Sequence, residues 1–269
     1  SYTITVTEGD GATSTPNGTI NVTGGSDKTI DIAVNDGYVI TDVIVDGVSV
    51  GVVDTYTFTD IHEDHTLEIK TAKLLTGDHI SYINGYPDGG VHPEAEITRA
   101  EVSAIFFRLL SDDARSQYET TTASYSDVAP TAWYATAVAT LSNAGILSGY
   151  EDGTFRPDAN ITRAEFATIA ARFDTNNTTG SGSFTDITGH WAEQYIKRAF
   201  TLGWVNGYSD GSFRPDSDIT RAEAVTLINR VLGRDTLTAD SLLDGMIEWP
   251  DNSASAWYYL AIQEATNGH

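Results

Sequence analysis

Three arginines stand at the second position of one repeated tetrapeptide, TRAE: Arg99, Arg163 and Arg221. The flanking residues read as helix capping boxes. Thr98, Thr162 and Thr220 accept from the amide three residues on, while Glu101, Glu165 and Glu223 reach back to the Thr amide. Arg at the first helical position faces the positive end of the helix dipole, a cost of roughly a few tenths of a kcal/mol. Three in register imply an anion beside the helix start, held by the guanidinium fork and free helix amides. The alternative is an acidic neighbour from the same fold, such as Asp127, Asp186 or Asp251. A carboxylate is the anion whose shape best suits the fork.

Trp133, Trp191 and Trp257 recur in a second element, each a few residues after one of those aspartates: YSDVAPTAWYATAV from Tyr125, FTDITGHWAEQYI from Phe184, and WPDNSASAWYYLAI from Trp249. Each Trp reads as opening a helix. Its indole either fills an interhelix core or walls a groove, stacking on sugar C–H faces and donating its N–H. An Arg and a Trp on different helices, three times over, build three similar pockets for an acidic sugar. The residues offer little else that does chemistry. No GxSxG, HExxH or phosphate loop is present. Acids are numerous enough to give glycosidase spacings by chance, and Glu101, Glu165 and Glu223 are engaged in capping. His62 and His65 flank Glu63 and Asp64 in a turn, which is weak evidence for a metal, and the Asp-rich turns lack the EF-hand order. The expectation is a binding protein that is no enzyme and takes no metal or cofactor.

The elements that position these residues repeat. GYPDGGVHPEAEITRAE from Gly85, GYEDGTFRPDANITRAE from Gly149 and GYSDGSFRPDSDITRAE from Gly207 align without gaps. Each precedes one apolar helical stripe: Val102, Ile105, Phe106, Leu109; Phe166, Ile169, Ala170, Phe173; Ala224, Leu227, Ile228, Val231. Units run over 124–174 and 183–234, and a split unit joins 73–111 to 246–269. Because one such unit cannot bury its apolar face alone, the C-terminal half-unit is expected to pack onto the first, closing three lobes about a pseudo-threefold axis. The stretches 111–122 and 175–183 read as polar connectors.

Residues 1–72 have a different texture. YTITVT, KTIDIAV, YVITDVIVDG and HTLEIK alternate apolar and polar residues, the pattern of half-buried strands. Asp46-Gly47 reads as a tight hairpin turn between 43–45 and 48–50. Of the 269 residues 38 are Asp or Glu and 15 Lys or Arg, a net charge of -23, which removes the cationic surface that nonspecific nucleic-acid binding needs. A 40% hydrophobic share supports a packed core rather than a disordered acidic tail. No apolar run reaches membrane-spanning length and the first residues are no signal peptide, so no membrane insertion is expected. The lack of Cys excludes disulfide scaffolds and thiolate chemistry.

The ITRAE segments, GYEDGTFRPD, GYSDGSFRPD and FTDITGHWAEQYI with GWVNGY together resemble surface-layer homology domains, over about three quarters of the chain. The resemblance implies an α+β multidomain chain: a small all-β module, then an all-α, three-lobed helical spindle with grooves between units. It also implies noncovalent anchoring at the bacterial cell surface to a secondary cell-wall polymer, through pyruvylated N-acetylmannosamine. The implied ligand contacts are Arg99, Arg163, Arg221, Trp133, Trp191, Trp257, Asp127, Asp186 and Asp251. Residues 1–72 are similar to bacterial surface repeats of the internalin B-repeat kind, with β-grasp character. In the first TRAE unit Val91 and His92 replace Phe and Arg. The alternative function is a self-assembling S-layer or adhesin module with no sugar site.

Overall fold

The computed structural model describes residues 1–269, which divide into two compact units. The first comprises Ser1–Leu74, Ser111–Gln117 and Phe173–Asn177; the second comprises Leu75–Leu110, Tyr118–Arg172 and Thr178–His269.

From Tyr2 to Lys73 the chain forms strands only, as period-2 patterning dictates. In chain order these are β1 (Tyr2–Glu8), β2 (Ala12–Thr15), β3 (Thr19–Val22), β4 (Lys28–Val34), β5 (Tyr38–Val45), β6 (Val48–Gly51), β7 (Thr55–Phe58) and β8 (His65–Lys73). They make a five-stranded sheet ordered β3-β1-β8-β5-β6 and a three-stranded sheet ordered β2-β4-β7. The central pair β1 and β8 is parallel, a β-grasp feature, though no helix lies between them in sequence. Asp46 and Gly47 both take positive φ, 49° and 80°, and Val45 faces Val48, the type I′ hairpin that the Asp-Gly pair predicts. Alternate residues of both sheets, among them Ile4, Ile30, Val43, Leu67 and Ile69, bury one core. The stretch 111–122, read as a connector, contains α1 (Asp112–Tyr118). Ser111 accepts from the Ala114 amide, and Asp112 and Asp113 sit at the end where the dipole favours anions.

The second unit corrects the expectation of an all-α, three-lobed helical spindle. Its helices are α2 (Arg99–Leu109), α3 (Ala135–Asn143), α4 (Arg163–Ala171), α5 (Glu193–Thr201), α6 (Arg221–Val231) and α7 (Tyr259–Thr266). None exceeds 11 residues, and turns and extended loops separate them. Strand-type bridges join Glu96 to Thr220, Thr98 to Asn160 and Thr162 to Asp218. The chain is therefore α+β overall, and its second unit is not the all-α spindle expected. The reason is local: Pro93, Pro157 and Pro215 with the Asp-Gly turns before them exclude helix, so the residues before each TRAE run extended and their amides need partners elsewhere. They find them in a closed ring. The Ile97 amide donates to Ile219, Ile219 to Ile161, and Ile161 back to Ile97, at 3.2, 3.2 and 3.0 Å.

The second element of each repeat docks on the first through a glycine. Tyr125 covers Gly149, Phe184 covers Gly207 and Trp249 covers Gly85, leaving no room for a Cβ at any of the three. The last contact joins the two parts of the split unit, and the Tyr82 and Ile83 amides donate to Ala265 beside it. The C-terminal half-unit thus meets the first as the intact units meet themselves. The predicted stripes face the interior: Val102, Phe106, Leu109, Phe166, Ala170, Ala224 and Ile228 are fully buried.

Candidate functional site

All three TRAE helices start with the same bonds. Thr98, Thr162 and Thr220 are N-caps with complete capping boxes. The first two helical amides donate to a loop of another repeat: Arg99 and Ala100 to Ala159 and Pro157, Arg163 and Ala164 to Ser217 and Pro215, Arg221 and Ala222 to Ala95 and Pro93. The third amide donates to the capping Thr oxygen. These helix starts therefore keep no free amides for an anion.

The arginines are equally engaged, each with an acidic neighbour from the same fold, which is a Glu of another repeat rather than Asp127, Asp186 or Asp251. The guanidinium of Arg99 meets Glu165 at 2.8 Å, Arg221 meets Glu101 at 3.0 Å, and Arg163 meets Glu223 at 3.5 Å. Each Glu divides its carboxylate: Oε2 accepts from the N-cap amide of its own helix, while Oε1 faces the Arg of another repeat. Each Arg also donates Nε and Nη2 to backbone carbonyls, for Arg99 those of Phe155 and Ser148. A tyrosine ring stacks on each: Tyr150 on Arg99, Tyr208 on Arg163 and Tyr86 on Arg221, at 4.9, 4.9 and 4.7 Å. Arg99 and Arg221 are only 6% and 4% exposed. Tyr86 and Tyr150 donate to Glu101 and Glu165 at 2.6 and 2.7 Å. Burial and that carboxylate raise the Tyr86 hydroxyl to about 12 and push Tyr150 up as well.

The aspartates stand apart from the arginines. Asp127 accepts the amides of Phe155 and Arg156, Asp186 those of Phe213 and Arg214, and Asp251 those of Val91 and His92. Desolvation pushes the Asp127 and Asp251 carboxyls up, but these amides outweigh it and both lie below the usual range. The accepted loop turns through a positive φ at His92, Arg156 and Arg214. There Asp88, Asp152 and Asp210 hold the side chain from four residues before, at 2.7, 2.9 and 3.2 Å. His92 therefore fills the place of an arginine in the first unit, and Val91 is as buried as Phe155 and Phe213.

What the tryptophans form is a set of grooves. Trp133, Trp191 and Trp257 precede their helices by two residues and are 66%, 61% and 68% exposed. Each walls a groove made from three other pieces: a Gly-Tyr loop, the TRAE helix that follows it, and the Arg of a further repeat. Trp133 lies with Tyr86, Glu101, Arg108 and Arg221 around about 210 Å³. Trp191 lies with Tyr150, Glu165, Arg172 and Arg99 around about 580 Å³. Trp257 lies with Tyr208, Glu223, Arg230 and Arg163 around about 220 Å³, with Trp204 as a second indole. The predicted Arg and Trp positions thus meet at each groove, whereas Asp127, Asp186 and Asp251 line none of the three.

Arg108, Arg172 and Arg230 are the residues that the sequence reading missed. They stand ten residues after each capping Thr, at the helix C-terminal end where the dipole favours a cation. Their recurrence in register was the available signal. Each also donates to a backbone carbonyl, of Tyr82, Gly145 and Trp204 respectively. The grooves differ in charge. Those of Trp133 and Trp257 hold two arginines and one glutamate, while that of Trp191 adds Glu151 and Asp216. His62 and His65 do not converge: they pair with Asp60 and Asp46.

The sequence model of the S-layer homology domain matches residues 81–103, 124–167 and 183–225. The chain is 40% identical over 208 residues to Cell surface glycoprotein 1 of Acetivibrio thermocellus, a match spanning 72% of this chain and 9% of that protein. It is 38% identical over 200 residues to the Cellulosome-anchoring protein of the same organism, spanning 72% of this chain and 44% of the relative. Amylopullulanase of Thermoanaerobacterium thermosulfurigenes is 34% identical over 186 residues, a match covering 65% of this chain and 9% of the enzyme. The chain therefore spans less than half the length of each of these relatives. The Gly-Tyr loops, the TRAE helices and the Trp133 and Trp191 elements fall in or beside the matched segments, the Trp257 element lies beyond them, and the chain is an S-layer homology domain protein.

Proposed function

We propose that the second unit is a noncatalytic anchor at the bacterial cell surface that binds a cell-wall polymer in the three grooves, through a carboxylated sugar of the pyruvylated N-acetylmannosamine kind. The observation that carries this reading is the threefold recurrence of an exposed indole opposite two arginines. An indole left exposed on the wall of a groove offers an apolar face for a ligand to cover. A pyranose ring stacks on it, and a ketal carboxylate reaches the cations at the groove wall. Arg108, Arg172 and Arg230 are assigned the carboxylate. Arg99, Arg163 and Arg221 position the groove through their Glu partners and present their remaining N–H groups to it. Asp127, Asp186 and Asp251 hold the adjoining loop. The anchoring and surface roles of the relatives agree with this reading.

The test is calorimetry with a synthetic pyruvylated N-acetylmannosamine glycoside beside the same sugar without pyruvate, repeated on Arg108→Gln and Arg230→Gln. Binding that requires pyruvate and weakens in both variants is expected. Equal binding of the two sugars would remove the carboxylate from the account. Failure of both sugars to bind would leave self-assembly, seen as concentration-dependent mass in ultracentrifugation.

A further inference from the structure

Outside the grooves, one cluster joins the two parts of the split unit. His79 lies before the first repeat, Glu264 on the last turn of α7 and His269 just beyond that helix. The His79 Nδ1 is 3.1 Å from Glu264 Oε1, and the His269 Nε2 is 3.8 Å from Oε2. One ligand atom from each residue fits within 4.8 Å of both others. The two imidazoles cross edge to face at 4.7 Å, and the His269 amide donates to the His79 carbonyl at 2.9 Å, fixing the two residues together.

The carboxylate between them is the anomaly. Glu264 is only 4% exposed, and its Oε1 accepts no hydrogen bond. Its nearest cation is Arg234, 3.6 Å away; the Nη1 of that guanidinium is buried without a hydrogen bond, while Nη2 donates to the Asp78 carbonyl. A buried charged oxygen left in this state is costly unless something supplies its missing partner. The imidazoles, by contrast, are 43% and 29% exposed, so the cluster opens to solvent on their side.

We propose that His79, Glu264 and His269 form a site for a divalent ion of the zinc class, which staples α7 and the residues just after it to the start of the split unit. Imidazole and carboxylate ligands about 2.0–2.2 Å from a tetrahedral ion sit roughly 3.3–3.6 Å from one another; His79 faces Oε1 at 3.1 Å and His269 faces Oε2 at 3.8 Å, and with one ligand atom of each residue within 4.8 Å of the others, small side-chain rotations bring the three donors to that spacing. Two nitrogens and one carboxylate favour zinc, nickel or cobalt over calcium or magnesium, which take oxygen donors. The fourth position falls on the exposed side, for water. The ion gives Oε1, which has His79 and Arg234 nearby but accepts no hydrogen bond, a direct ligand bond, and Arg234 stays behind the carboxylate as a counter-charge. The ligands come from opposite ends of the second unit, so no local spacing announces them. The site is independent of the groove reading, because none of its residues lines a groove.

The experiment is a titration of metal-free protein with zinc chloride near pH 7.5, by calorimetry and thermal unfolding, on the wild type and on His79→Ala/His269→Ala. Both imidazoles are part-exposed, so the double variant is expected to fold. Circular dichroism and the cooperative unfolding of the metal-free proteins, scored in parallel, check the folding. One zinc per chain, a raised unfolding midpoint, and an affinity at least about tenfold weaker in the double variant are expected. Cobalt substituted for zinc should give the intense visible bands of a tetrahedral ion in the wild type alone. Zinc heats and midpoint shifts equal in the two proteins would overturn the site and assign the zinc to surface carboxylates. No zinc uptake at millimolar concentration would overturn it as well.

Discussion

At the scale of the residue, two positions in each repeat that look alike as ligand contacts separate by burial. Arg99 is a member of a buried ion pair, and Trp191 is an exposed wall. Removing one partner of a buried pair leaves the other charge without compensation, which costs about 3–5 kcal/mol. Arg99→Ala is therefore expected to lower stability by about 3 kcal/mol or more in denaturant melts. Trp191→Ala, exposed in the free protein, should stay within about 0.5 kcal/mol of wild type. The order reverses for the ligand: loss of the indole face should weaken glycoside binding at that groove by about tenfold, or 1.4 kcal/mol. A Trp variant that unfolds early while binding normally would assign the indoles to the core. Arg230→Gln removes a charged donor from the groove of Trp257 and should cost about 1.5–3 kcal/mol of affinity, read by the same calorimetry.

At the scale of the element, the turn before each TRAE helix is held by carboxylates in fixed registers. The Thr154 hydroxyl and the Arg156 guanidinium hold Asp152 at about 2, and the Ser212 hydroxyl and amide with Arg214 hold Asp210 at about 2. The Gly90 amide and His92 lower Asp88 in the first unit. A folded-state value below the unfolded value of 3.8 means that stabilisation is present above that pH and is lost as pH falls toward 2. The unfolding midpoint is therefore expected to drop on acidification through this window, and an Asp152→Asn/Asp210→Asn variant should show a shallower drop. An unchanged slope in the variant would shift the acid sensitivity to other carboxylates. The capping boxes act at the same scale: Thr162→Ala should cost about 1 kcal/mol, measured by denaturant unfolding.

At the scale of the molecule, the three grooves are not equal, and the charge around them is unfavourable to an anionic polymer. The groove of Trp191 sets Glu151, Glu165 and Asp216 against two arginines, so it is expected to be the weakest for a carboxylated sugar. Calorimetric titration should resolve two stronger sites and one weaker. Equal affinity at all three would show that the extra carboxylates do not face the ligand. The chain carries a net charge of -23, which repels a polyanion at long range while short-range Arg contacts hold it. Raising salt from about 50 mM to about 200 mM should speed association and leave binding intact, because screening acts mainly beyond a Debye length of roughly 10 Å. A steep loss of affinity over that range would count against grooves that hold their ligand at close contact.

The amino-acid sequence determined what depends on neighbours a few residues away. The capping boxes of Thr98, Thr162 and Thr220, the Asp46-Gly47 hairpin, the buried helical stripes and the strands of the first unit are local geometry, and each was legible in the pattern. The repeat also announced that Arg and Trp positions recur together. The tertiary structure alone decided which charges meet. The Glu that caps one helix has a second oxygen, and only the closed ring of repeats brings the Arg of another helix to it. The same ring required extended segments with backbone bonds between repeats, so an all-α unit was excluded by amides that no local helix would satisfy. Asp127, read as a ligand contact, faces loop amides because the chain folds back onto it. His79, Glu264 and His269, separated by nearly the whole second unit, meet only where its two ends close.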